Sequence, residues 1–93
     1  MLRVEVRLSA DHLAEAAGIS AARLARLVQL GVVESDEGGY SVATLARLRR
    51  LLRLRRDLGM RVVDASIVLN LVTRIERLEL DLARLRAGRR STD

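Results

Sequence analysis

The chain has 93 residues, 17 basic against 12 acidic side chains, a formal net charge of +5, 49% hydrophobic residues and one aromatic residue, Tyr40. At about 100–200 residues per domain, this length gives one small domain plus one extra element. The lack of Cys excludes disulfides, thiolate metal sites and a cysteine nucleophile, and the apolar fraction excludes a wholly disordered chain. A core with almost no rings must be built from Leu, Ile, Val and Ala, which favours helices. No apolar run approaches the roughly 18 residues of a membrane span, and Met1 leads straight into alternating apolar and charged residues, so a cytoplasmic protein is expected.

The charge is unevenly placed. Residues 1–42 hold four Arg against six carboxylates, whereas residues 43–93 hold thirteen Arg against six. Every basic side chain is Arg and none is Lys, a uniformity that reads as overall composition and not as selection for one site.

Leu2, Val4, Val6 and Leu8 alternate with Arg3, Glu5 and Arg7, the period-two pattern of a half-buried strand. Ser9 can cap a first helix over residues 10–17, with Leu13, Ala16 and Ala17 on its apolar stripe and Gly18 as its stop. Ser20 can cap a second from Ala21 to Leu30, burying Leu24, Leu27 and Val28 and ending at Gly31. Two short helices joined by Gly18-Ile19-Ser20 form a helix-turn-helix candidate. Val32-Val33-Glu34 and Tyr40-Ser41-Val42, on either side of Gly38-Gly39, predict a two-stranded wing.

A third helix is expected from Val42 to Leu58, capped by Ser41 and stopped by Gly59. It should bury Leu45, Leu48, Leu51, Leu52 and Leu58 and expose Arg49, Arg50, Arg53 and Arg56. Arg55 falls among the leucines, where it must snorkel or pair with a carboxylate such as Glu15 or Asp64. From Val62 to Ala87 no residue breaks a helix, and Val68, Leu71, Ile75, Leu78, Leu82 and Leu85 follow the alternating three-and-four spacing of a coiled-coil seam. The expected arrangement is a domain over 1–59, a dimerisation helix over 60–87 and a disordered tail over 88–93. The seam either pairs two chains, parallel or antiparallel, or packs on the chain's own domain.

Catalysis finds little support. His12 has no second His, Cys or nucleophile at a useful spacing, and Gly38-Gly39 lacks the Lys-Ser/Thr of a phosphate loop. No metal set and no cofactor motif stand out, so a non-enzymatic, cofactor-free protein is expected.

The order strand, helix-turn-helix, wing and long terminal helix resembles the MerR superfamily. Gly18-Ile19-Ser20, Leu30-Gly31-Val32, Tyr40-Ser41, Leu54-Arg55 and Leu58-Gly59 stand in that family's order. The resemblance implies a mainly α, MerR-like winged helix-turn-helix with a short N-terminal strand and a small wing. DNA-binding members carry an Arg followed by aromatic residues in the recognition helix and usually a basic wing; here Leu24-Ala25-Arg26-Leu27-Val28 and Glu34, Asp36 and Glu37 occupy those places. The run "GISAARLARLVQLGVVE", then "LRRDLG", then "ASIVLNLVTRIERLE" resembles the chaperone modulator family CbpM, departing from it at Met60-Arg61-Val62.

That second resemblance implies binding to the J-domain of a DnaJ/CbpA-type co-chaperone, so that the co-chaperone no longer stimulates DnaK. The J-domain's basic helix would meet carboxylates here, with Glu34, Asp36 and Glu37 as the densest cluster and Glu76 and Glu79 as the next. The alternative is a DNA-binding repressor of the HspR type, contacting phosphates through Arg23, Arg26, Arg49, Arg53 and Arg56.

Overall fold

A computed structural model describes residues 6–35 and 37–92, with side chains through Arg90. Its elements, in chain order, are β1 (Arg7–Leu8), α1 (Ala10–Ala17), α2 (Ala21–Gln29), β2 (Tyr40–Ser41), α3 (Val42–Leu58) and α4 (Val62–Thr92).

The helix starts follow local chemistry. Ser9, Ser20 and Ser41 each hold an extended backbone and accept, through Oγ, the N–H of the residue three ahead, at 3.1 Å in all three cases. Each cap satisfies one otherwise orphaned N–H and contributes about 1 kcal/mol. Gly18 and Gly59 end α1 and α3 in the left-handed conformation, and α2 closes one residue early, with Leu30 as its cap before Gly31. After Gly18 the chain turns at once: the Ile19 N–H donates to the Ala14 carbonyl at 3.0 Å and Ile19 packs against the core.

The wing is not the expected hairpin. Val32 and Val33 form no strand, because their N–H groups both donate to the Leu27 carbonyl at the end of α2, at 3.0 and 3.4 Å, while their side chains are buried. Tyr40–Ser41 instead pairs antiparallel with β1, Arg7 opposite Ser41 and Leu8 opposite Tyr40. The strand expected around Leu2–Leu8 is therefore seen as Arg7–Leu8; Leu2 and Val4 lie outside the described residues. Gly39 makes this pairing possible. At φ +115° a Cβ here would sit 2.5 Å from the Leu8 carbonyl oxygen, so any side chain would push the strands apart.

The core is aliphatic around one ring. Leu13 and Ala14 of α1, Leu24 and Leu27 of α2, Val32, Val33, Tyr40, Leu48 and Leu51 of α3, and Ala65 and Leu69 of α4 are buried together. Leu58, expected in this face, is exposed, because it occupies the last residue of α3 before the Gly59 turn. Arg55 is half-buried, as its position among the leucines requires, but neither Glu15 nor Asp64 pairs with it; its Nε is buried without a hydrogen-bond partner.

α4 belongs to the domain only at its start. Ala65 and Leu69 enter the core and Val62 packs against it, whereas every described residue from Thr73 to Arg90 is exposed. The radius of gyration is 16.9 Å, against about 12 Å for a compact chain of this length; the projecting arm accounts for the difference. The helix runs on to Thr92, through most of the 88–93 segment expected to be a disordered tail. A single Gly88 costs a helix only about 1 kcal/mol relative to Ala, and Arg89 and Arg90 face the negative end of the helix dipole.

Candidate functional site

α1, the Gly18 turn and α2 form the helix-turn-helix, with Leu24 and Leu27 pointing inward. The outward side of α2 consists of Ala21, Ala22, Arg23, Ala25, Arg26 and Gln29, all exposed. Base edges are read by side chains that donate and accept hydrogen bonds. Three alanines leave this helix few of them.

The five arginines that could meet phosphates are not equivalent. Arg49 reaches back across the domain, and its Nε and Nη2 donate to the Ala16 carbonyl at 3.3 and 3.0 Å, covering an acceptor left open where α1 ends. Arg56 lies 3.9 Å from Asp57, with both side chains largely in solvent. Arg23, Arg26 and Arg53 are exposed.

The acidic candidates divide in the same way. Glu34 and Glu37 stand exposed at the wing and make no ion pair with the described residues, while Asp36 lies outside them. Glu76 is engaged: its carboxylate accepts from Arg50 Nη2 of α3, which offsets its charge, while the half-exposed pair contributes at most about 1 kcal/mol to holding the arm. Glu79, one turn farther out, is exposed. The two acidic clusters therefore do not carry equal charge toward a partner.

The wing root also borders a cleft that sequence spacing does not reveal. Glu34, Thr44, Arg47, Ser66 and Asn70 rim a cavity of about 260 Å³ whose floor includes Val33, Leu48 and Leu51. Arg47 Nη2 donates to Asn70 Oδ1 at 2.7 Å across it, joining α3 to α4. The wing and the base of the arm thus form one surface.

Of the seam residues, Val68 is half-buried where α4 leaves the domain, and Leu71, Ile75, Leu78, Leu82 and Leu85 are exposed, as is Leu80 beside them. The seam does not fold onto its own domain, because Val62, Ala65 and Leu69 already occupy that contact. The His12 side chain is exposed on α1, and among the described residues no three His, Cys, Asp or Glu side chains could hold a metal ion. No helix among them is long and apolar enough to cross a membrane.

Comparison with known proteins agrees with this architecture. The family described as MerR HTH family regulatory protein matches residues 8–87, from β1 to the far part of α4. No curated protein and no solved structure matches the chain significantly. The match covers the helix-turn-helix, the wing, α3 and most of the arm together, so the chain belongs to the MerR helix-turn-helix family of regulatory proteins.

Proposed function

We propose that this MerR-family regulator acts on a protein: it binds the J-domain of a DnaJ/CbpA-type co-chaperone and blocks its stimulation of DnaK. The observation that carries the reading is the pairing of an acidic, exposed wing with an outward α2 face of which half is alanine. A duplex requires positive charge at the docking surface; Glu34 and Glu37 repel it, and they attract the basic helix that a J-domain offers in the CbpM-like proteins this chain resembles. The role is stoichiometric masking and requires no turnover and no cofactor.

The functional unit in this reading is a homodimer joined through Val68, Leu71, Ile75, Leu78, Leu82 and Leu85. Five of these six are exposed on a helix that leaves its own domain, and an aliphatic stripe of this length is a liability in water unless a partner covers it.

A DNA-binding, HspR-like repressor is the second reading, favoured by the exposure of Arg23, Arg26 and Arg53. One experiment separates the two. Replacing Glu34, Asp36 and Glu37 together by Arg should weaken J-domain binding about tenfold or more, mostly through slower association. The same change should strengthen duplex binding if the wing faces phosphates. Tight, salt-dependent duplex binding by the unmodified protein, with no J-domain binding, would overturn the modulator reading. A response to changes at Glu79 alone would move the contact to the arm.

A further inference from the structure

We propose that the cleft between the α1–α2 turn and the C-terminal half of α3 binds a phosphate monoester dianion, for which inorganic phosphate, not itself an ester but alike in charge and geometry, is the simplest stand-in. The cleft is about 280 Å³, and Arg23 from α2 and Arg55 and Arg56 from α3 line it together with Ile19 and Leu52. No carboxylate among the described residues lines it. Arg55 lies half-buried against the core, and its Nε is shielded from solvent without any hydrogen-bond acceptor. Because that Nε is closed to water it is equally closed to a phosphate oxygen, so an anion in the cleft meets Arg55 through those of its atoms that line the cleft.

The three guanidiniums decide the class of ligand. Each offers a planar fork of donors suited to tetrahedral or carboxylate oxygens. A phosphodiester or a carboxylate brings a single negative charge, whereas a monoester carries roughly −1.5 to −2 at neutral pH and has three acceptor oxygens to share among them. Ile19 and Leu52, both half-buried, supply apolar walls that strengthen such contacts relative to open water. Asp57 contacts Arg56 only at 3.9 Å and leaves most of that guanidinium in solvent, so it does not compete for the cleft. Among the described residues none is shared with the cleft at the wing root, so this site is distinct from that part of the proposed J-domain surface.

The test is a titration of the full-length protein with inorganic phosphate at constant ionic strength, followed by the Nε–H resonances of the arginines and by the thermal midpoint. Acetate serves as the singly charged control. The expected result is a saturable shift of the Arg55 Nε–H signal and a rise in Tm with phosphate but not with acetate. Arg23→Gln, at an exposed position of α2, should weaken phosphate binding about tenfold while leaving the fold intact, and Arg55→Lys should abolish the saturable component. An absence of saturation, an equal response to acetate, or unchanged binding in both variants would overturn the proposal. A mixed-sequence duplex that displaces phosphate, and whose own binding falls in the same variants, would instead assign the cleft to a nucleic-acid backbone and refute the monoester.

Discussion

Placing two aspartates in the seam, Ile75→Asp with Leu78→Asp, should dissociate the proposed dimer without unfolding the domain. Both side chains are exposed in the single chain, Ile75 at 53% and Leu78 at 62%, so a monomer loses no core contact when they change. Full burial of such a side chain contributes about 1.5–3 kcal/mol, and slightly more than half of that surface is still available to a partner, which gives about 1–1.5 kcal/mol for each residue. Two positions on each of two chains lose roughly 4–6 kcal/mol per dimer, before the desolvation of four carboxylates is added. At 1.4 kcal/mol per decade, the dissociation constant should rise by about 10³–10⁴-fold. Light scattering across a micromolar dilution series reads this directly, with far-UV circular dichroism as the control for folding. A mass of one chain for the unmodified protein, or an unchanged dimer in the double variant, would refute the reasoning.

Three further outcomes bear on the fold. Leu48→Ala removes a side chain that is 1% exposed at the centre of the core and should cost about 2–5 kcal/mol, read as a lower denaturation midpoint. Gly39→Ala should destabilise by about 1–3 kcal/mol, because it adds a Cβ against the Leu8 carbonyl at a strained φ; early loss of amide protection at Leu8 and Tyr40 would show that strand pairing gives way first. Ser20→Ala removes the Oγ that accepts the Arg23 N–H and should cost about 1 kcal/mol, whereas Ser20→Gly should cost only a few tenths, a contrast measurable by urea denaturation.

The starts of α1, α2 and α3 and the stops at Gly18 and Gly59 were legible in the residues because their causes are local. Ser9, Ser20 and Ser41 act on an N–H three residues away, and Gly18 and Gly59 act through their own φ, so neither needs the rest of the chain to be in place. The spacing of Leu48 with Leu51 and the family order of the turn and wing motifs were equally readable, and the MerR assignment follows from them and from the match over residues 8–87.

What tertiary structure decided involves partners far apart in sequence. Strand propensity in Val32-Val33 does not become a strand, because the two N–H groups are closer to the Leu27 carbonyl than to any ladder, and Tyr40–Ser41 pairs with β1 across more than thirty intervening residues. Arg49 and Arg50 look alike as exposed charges on α3, yet one covers the end of α1 at Ala16 and the other holds Glu76 on α4. Periodicity placed an apolar seam on the last helix, but only packing distinguishes the Ala65–Leu69 face that completes the core from the Leu71–Leu85 face left in solvent. A helix displays all of its faces in its sequence; which of them is covered depends on the neighbour that reaches it first in the fold.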